Sequence, residues 1–97
     1  MKFRFHSDAS TDISSSIDYY NAAAEGLGAD FLNSVLACID RVREFPESGA
    51  VYLRNYRRVF LKRFKHVVIY KVVSNELHIM AVTHVKRNPD VIRERLE

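Results

Sequence analysis

The chain has 97 residues, 47% of them apolar and 11% aromatic, which is enough for one hydrophobic core but hardly for two. This composition excludes a disordered chain, and a single cysteine excludes an internal disulfide. No apolar run approaches the roughly 20 residues that span a bilayer, and the first ten residues lack a secretory signal. We therefore expect one globular domain over residues 1–97, located in the cytoplasm, with no membrane partner.

Charge is divided unevenly along the chain. Residues 1–47 carry four basic and eight acidic side chains, a net charge of −4, whereas residues 48–97 carry eleven and four, a net charge of +7. No acidic residue occurs from Ser48 to Asn75, where seven basic residues are interleaved with aromatic ones. Such a surface attracts nucleic acid or an acidic protein segment, but a solvated face that keeps a small domain soluble has the same pattern.

The first half of the chain predicts one strand and two helices. Apolar and basic side chains alternate from Met1 to His6, as in a half-buried strand. Apolar residues then recur every three or four positions from Ser7 to Ala24 and again from Phe31 to Phe45, and Pro46 ends the second run. Because Gly26 lies between the two runs and suits a left-handed turn, we expect an antiparallel helical hairpin.

The second half changes to a period of two, which indicates strands. Three strands are predicted, Tyr56–Phe64, Val67–Val73 and Leu77–Val85, with Ser74-Asn75 as a hairpin turn between the last two. One predicted face of the first strand carries Arg58, Phe60, Lys62 and Phe64, and one face of the third carries Leu77, Ile79, Ala81, Thr83 and Val85. Asn88-Pro89 begins a short tail helix that extends through Arg95.

The order of these elements predicts an α+β sandwich. Both helices of the hairpin are expected on one face of an antiparallel sheet. The opposite face is expected to stay partly open and to carry much of the basic charge.

Metal and cofactor chemistry are not indicated, and we expect neither a metal nor a cofactor. The four histidines are far apart in the sequence, and no phosphate-binding glycine loop occurs. His78 and His84 share a predicted strand face, but at about 3.3 Å per residue they lie roughly 20 Å apart. Cys38 falls on the apolar stripe of the second helix, which favours a buried and inert thiol.

Metal-free RNA cleavage is the enzymatic activity that these residue types could support. It needs a base for the 2′-hydroxyl, cations on the scissile phosphate and an acid for the leaving oxygen. The residues that could supply these groups are Arg63, His66, Tyr70, His84, Lys86 and Arg87. Structural explanations compete with this interpretation, because Tyr70 suits a core position, His66 could simply close a strand end, and Arg57 and Arg58 could protect a sheet edge.

Several short segments, taken in order, match a known pattern. They are Tyr19-Tyr20, Gly26-Leu27-Gly28 followed by Phe31, Pro46, Arg58, Arg63-Phe64, Val68-Ile69-Tyr70, and the run from Ala81 to Pro89. In order and spacing over nearly the whole chain, the sequence resembles the RelE/ParE superfamily of toxins from bacterial type II toxin–antitoxin systems. The resemblance implies an N-terminal strand, an antiparallel helical hairpin packed on one face of an antiparallel sheet, and a short C-terminal tail helix.

The same resemblance implies a growth-inhibiting toxin of the kind that stabilises plasmids, neutralised by a cognate antitoxin with which it forms a complex. RelE-like members cut mRNA in the ribosome, whereas ParE-like members poison DNA gyrase and carry no nuclease site. This chain has Val67 and Val68 where RelE-like nucleases place an arginine, and Val91 and Ile92 where they tend to place a tyrosine or other proton donor. It also has Lys65-His66 where the superfamily usually has proline and an aromatic residue.

These departures favour a ParE-like toxin that binds DNA gyrase and is not an enzyme. The alternatives are a RelE-like, metal-independent mRNA endoribonuclease that acts in the ribosome, and a basic nucleic-acid-binding module. If the chain is a nuclease, the candidate catalytic residues are Arg63, His84, Lys86 and Arg87. The candidate target-binding residues are Arg58, Lys62, Arg63, His66, Tyr70, His84, Lys86, Arg87 and Arg93.

Overall fold

A five-stranded sheet carries two helices on one face and a third helix on the other. The computed structural model describes residues 1–97. The elements are β1 (Lys2–Phe5), α1 (Ser7–Ala23), α2 (Leu27–Glu44), β2 (Ala50–Leu53), β3 (Tyr56–Phe60), β4 (His66–Val73), β5 (Glu76–His84) and α3 (Pro89–Leu96). The predicted α+β fold, with its N-terminal strand, helical hairpin and tail helix, is confirmed.

The strand order across the sheet is β1-β5-β4-β3-β2. Strands β3, β4 and β5 form the antiparallel meander that the sequence predicts. Strand β1, however, runs parallel to β5, so the sheet is mixed and only β2 to β5 have the antiparallel pairing that was expected. The long connection through α1, α2 and the next three strands allows this parallel pairing, which a tight turn cannot make.

The helical hairpin turns at Gly26, which adopts a left-handed conformation with φ of 82°. Helix α2 begins one residue later, and a Cβ on Gly28 would lie 2.6 Å from the side-chain oxygen of Asn21. Helix α2 ends at Glu44, and Phe45 is 61% exposed. The prediction that Phe45 extends the buried stripe is wrong, because the residue before a proline is driven out of the helical conformation.

The β2–β3 region departs most from the predicted strands. Strand β2 was not predicted, since four residues at a sheet edge give too short a pattern. Strand β3 ends at Phe60, where the prediction extended it to Phe64. The chain then folds back, with the Leu61 N–H donating to the His66 carbonyl at 3.0 Å. Phe64 is consequently buried in the core and does not share the outer face of Arg58.

A β-bulge in β5 changes which of its side chains face the helical hairpin. Ile79 pairs with Tyr70 and Ala81 pairs with Ile69, so Met80 is an extra residue without a partner in β4. Beyond the bulge the alternation is shifted by one residue. Val82 joins Leu77 and Ile79 in the core beneath the hairpin, whereas Ala81 packs on the opposite face. The predicted shared face of Leu77, Ile79, Ala81, Thr83 and Val85 is therefore wrong.

Two hydrophobic clusters fill the two sides of the sheet. The larger lies between the sheet and the hairpin and includes Phe31, Val35 and Tyr70. The smaller lies beneath α3, whose Ile92 and Leu96 pack against strand residues of the other face. The face that was expected to stay partly open is thus covered in part by the tail helix. No helix of this fold is both long and apolar enough to cross a membrane.

Candidate functional site

A cleft of about 480 Å³ opens between α1 and the region where β4 begins and β5 ends. We call it the histidine cleft. Its lining residues are Ser15, Ser16, Tyr19 and Tyr20 from α1, Arg63, Phe64, Lys65 and His66 from the β3–β4 connection and the start of β4, and His84 from the end of β5. A second, more polar depression adjoins it and shares Ser15, Ser16, His66 and His84, and it adds Asp12, Arg87 and Arg95.

His66 and His84 lie side by side in the cleft, with ring centroids 5.3 Å apart. The sheet register causes this contact, because the first residue of β4 pairs directly with the last residue of β5. The contact also requires the bulge in β5, since the bulge places His84 on the face of the sheet that carries the helical hairpin and leaves His78 on the opposite face. The predicted common face of His78 and His84 is therefore wrong, and the sequence analysis missed the pairing of His66 with His84.

His66 is an uncharged histidine at neutral pH. Only 5% of it is exposed, and burial is the main reason why its pKa falls from 6.5 to about 4. The neighbouring His84 lowers the pKa further, and the carboxylate of Asp12 partly opposes the shift. The Nδ1 atom lies 3.4 Å from the hydroxyl of Tyr20, and Nε2 lies 3.5 Å from the hydroxyl of Ser16. Burial also raises the pKa of Tyr20, so its phenol stays protonated.

His84 is the more accessible of the two rings. Its Nδ1 atom accepts a hydrogen bond from the backbone N–H of Lys86 at 3.1 Å. An Nδ1 atom that accepts this bond carries no proton, which assigns the proton of the neutral ring to Nε2. His84 therefore presents an N–H donor at the mouth of the cleft.

The two candidate arginines of this region, Arg63 and Arg87, are both paired with carboxylates of the same chain. Arg63 lies 3.3 Å from Asp30 of α2 and also rests over the ring of Phe64. Arg87, which follows β5, lies 3.6 Å from the buried carboxylate of Asp12. A ligand phosphate would have to compete with these partners for either guanidinium.

Asp12 is the centre of a buried ionic cluster that the sequence analysis missed. Its carboxylate accepts two hydrogen bonds from Arg95 of α3, at 2.6 and 3.1 Å, and a third from the backbone N–H of Val82 at 3.0 Å. The hydrogen bonds to Asp12 hold the pKa of Arg95 above its usual value. The sequence pattern gave no role to Asp12 beyond an acidic residue near the start of the first predicted helix. The sign of a buried role for Asp12 is its position directly before the apolar Ile13, on the side of α1 that faces the sheet.

The structure separates the other candidate residues. Lys62 is exposed in the β3–β4 connection, and Lys86 is exposed just beyond β5. Arg93 is exposed on α3 and lies 3.9 Å from Asp90. Arg58 is on the opposite face of the sheet from the histidine cleft, between the rings of Tyr52 and Phe60.

Tyr70 is fully buried, and its hydrogen bonds stabilise the fold. Its hydroxyl donates to the carbonyl of Pro46 at 2.8 Å and accepts from the N–H of Gly49 at 3.0 Å, which ties the end of the hairpin to the central strand. Of the nine candidate residues, the histidine cleft brings together Arg63, His66 and His84, and Arg87 lies in the adjoining depression.

A family model described as the ParE toxin of type II toxin–antitoxin systems, parDE, matches residues 3–89. This match covers most of the chain, from β1 to the start of α3. The chain belongs to the ParE toxin family.

Individual relatives agree with this assignment. The chain is 25% identical over 96 residues to proteins named Toxin ParE2 from two strains of Mycobacterium tuberculosis, CDC 1551 / Oshkosh and ATCC 25618 / H37Rv. Each alignment covers 98% of this chain and 91% of the relative. A solved structure of the chromosomal ParDE toxin–antitoxin system from P. aeruginosa superposes with a TM-score of 0.78 at 16% identity, covering 89% of this chain and 97% of that one. This superposition shows a shared fold.

Proposed function

We propose that this chain is a growth-inhibiting ParE toxin that acts in the cytoplasm by binding DNA gyrase and is neutralised by a cognate antitoxin. Membership of the ParE toxin family supports the toxin class. The choice between a gyrase-binding toxin and an mRNA nuclease depends on the charges in the histidine cleft. The observation that carries this choice is that Arg63 and Arg87 are each paired with a carboxylate.

A nuclease without a metal must stabilise the extra negative charge of its transition state with preorganised cations. Removing a single such donor typically costs a factor of about 10² to 10³ in rate. In this chain Asp30 and Asp12 lie 3.3 and 3.6 Å from the arginines that would serve this purpose. Each carboxylate offsets the positive charge of its arginine and would repel a bound phosphate, which disfavours the nuclease.

The rim of the histidine cleft suits a protein target better than an RNA phosphate. Tyr19 is 70% exposed beside the cleft, and Lys65 of the same lining is exposed and has no carboxylate partner. An exposed aromatic ring flanked by cations is typical of protein-binding surfaces, where tyrosine provides contact area and the charges steer the encounter. We assign target binding to this rim.

The antitoxin is expected to bind through an acidic segment that orders as it binds. The β3–β4 connection beside the cleft carries Lys62, Arg63 and Lys65 and no acidic residue, so an acidic partner would meet no like charge in that segment. Neutralisation would follow if this partner covers the rim of the histidine cleft.

A supercoiling assay with purified gyrase and relaxed plasmid tests the target. The toxin should block supercoiling as its concentration rises, and it should leave plasmid relaxation by an unrelated topoisomerase unchanged, which serves as the matched control. Normal supercoiling at saturating toxin would refute the gyrase target. Primer extension on mRNA from induced cells tests the nuclease in parallel, and new codon-positioned cuts would establish the RelE-like activity instead.

A further inference from the structure

We propose that the exposed face of the β2–β3 hairpin binds single-stranded nucleic acid, with Tyr52, Arg58 and Phe60 as the contact residues. We call these three residues the β2–β3 platform. This proposal goes beyond gyrase binding and does not depend on it, because the platform lies on the face of the sheet opposite to the histidine cleft.

The platform is an arginine held between two aromatic rings. The guanidinium carbon of Arg58 lies 4.8 Å from the ring centre of Tyr52 and 5.6 Å from that of Phe60. Phe60 is 54% exposed although it lies in a strand, and Arg58 is exposed as well. The three side chains share one face because Arg58 and Phe60 are two residues apart in β3 and Tyr52 packs towards α3 on that face. An unpaired base stacks on exposed aromatic rings and on exposed guanidinium groups, and Phe60 and Arg58 provide one of each.

The arginines of this hairpin have no carboxylate partner, in contrast to most arginines elsewhere in the molecule. Six of the ten arginines lie in ion pairs with carboxylates, namely Arg4, Arg43, Arg63, Arg87, Arg93 and Arg95. Three of the remaining four are in the β2–β3 hairpin, where Arg57 donates only to backbone carbonyls and Arg58 contacts only aromatic rings. On the platform face, the positive charge of Arg58 is therefore available to an external anion.

Stacking distinguishes nucleic acid from an acidic protein segment as the occupant. Carboxylates would pair with Arg58 but would leave the exposed ring of Phe60 without a ligand group to stack on it. A single strand offers both groups at once, since its phosphates bind cations and its bases stack on aromatic rings and on guanidinium planes. A duplex presents its phosphates but keeps its bases stacked inside, so single strands are favoured.

Fluorescence anisotropy with labelled oligonucleotides of about ten nucleotides, one of DNA and one of RNA, tests the platform on the purified chain. Binding should weaken as salt rises, as phosphate contacts require, and a duplex of equal length should bind more weakly. The Phe60→Ala and Arg58→Ala variants should each lose about tenfold in affinity, which corresponds to the loss of one stacked group. The DNA and RNA arms show which polymer is preferred.

Two control variants match these substitutions. Val51→Ala removes an apolar side chain that is 65% exposed on the other face of the same hairpin. Arg4→Ala removes an exposed strand arginine that already pairs with Glu76 at 3.5 Å. Both controls should bind as the wild type does, and circular dichroism should show that all four variants are folded.

Three results would overturn the proposal. The first is the absence of oligonucleotide binding even at about 50 mM salt. The second is an equal loss of oligonucleotide affinity in the platform variants and the control variants. The third is displacement of the oligonucleotides by a polyglutamate peptide that binds more tightly than they do and whose own affinity depends on Phe60. The last result would establish a protein-docking surface instead.

Discussion

Asp12 connects three parts of the molecule through one carboxylate. It joins α1 to α3 through Arg95 and to β5 through the backbone of Val82. The side chains of Asp12 and Arg95 are only 6% and 11% exposed, so water screens their interaction little. A buried ion pair is costly to break from one side, because the remaining charge stays buried without a partner.

We therefore expect Asp12→Asn to lower the free energy of unfolding by about 3 kcal/mol. The matched control is Asp40→Asn, which removes an exposed carboxylate from the 3.7 Å contact with Arg43 and should change stability by less than about 1 kcal/mol. Urea unfolding of the three proteins measures both effects. Equal changes in Asp12→Asn and Asp40→Asn would contradict a special role for Asp12.

His66 should make the stability of the protein depend on pH. Its pKa is about 4 in the folded chain and 6.5 when unperturbed, so between these values the unfolded chain binds more protons. The stabilising contribution is thus complete above pH 6.5 and is lost as the pH falls towards 4. We expect a loss of roughly 2 to 3 kcal/mol across this window.

Replacement of the imidazole isolates this effect from other titrations. His66→Phe should flatten the pH dependence of unfolding over the same window, because it removes the titrating group. His84→Gln should flatten it only in part, since His84 is the second of the two causes that lower the pKa of His66. Denaturant unfolding at several pH values measures both, and an unchanged pH dependence in His66→Phe would show that other groups are responsible.

At the scale of elements, α3 is attached by both apolar and ionic contacts. Ile92 is 3% exposed and packs in the cluster on the outer face of the sheet. Ile92→Ala should therefore cost about 2 kcal/mol, at the low end for a buried isoleucine because the site lies under a short terminal helix. Val91, which is 40% exposed on the same helix, is the control, and Val91→Ala should change stability by less than about 0.5 kcal/mol. Thermal unfolding would distinguish the two, and similar melting temperatures would show that α3 is only loosely attached.

Local patterns predicted most of these elements well. The turn at Gly26, the stop at Pro46 and the Ser74-Asn75 hairpin each depend on the conformational preferences of the residues that form them. Ser74 and Asn75 both have positive φ, at 50° and 60°, as the two central residues of a tight hairpin require. Signals of this kind are contained within a few neighbouring residues.

The predictions that were wrong concern features that depend on residues far apart in the sequence. The extra residue Met80 in β5 is compatible with a regular strand, and only its pairing with β4 shows that it is a bulge. Likewise, Asp12 has an ordinary place near a helix N-terminus until the tail helix brings Arg95 against it. Both residues affect the candidate site, because the bulge at Met80 places His84 beside His66 and Asp12 also pairs with Arg87.

At the scale of the whole molecule, the basic charge of the second half is divided between two surfaces. One is the rim of the histidine cleft, which includes Lys65. The other is the β2–β3 platform on the side of α3. The sheet separates the two surfaces, so each could bind its own partner without obstructing the other.

This separation predicts that two charge reversals have opposite effects. Lys65→Glu should weaken the inhibition of gyrase about tenfold, because it places a like charge on the rim that meets the target, and it should leave oligonucleotide binding unchanged. Arg58→Glu should abolish oligonucleotide binding and should leave inhibition of supercoiling unchanged. Each variant is the control for the other, since both exchange an exposed cation for an anion. If both variants impaired both activities equally, the cleft rim and the platform would have to act as one continuous surface, with the net charge of the basic half as the quantity that matters.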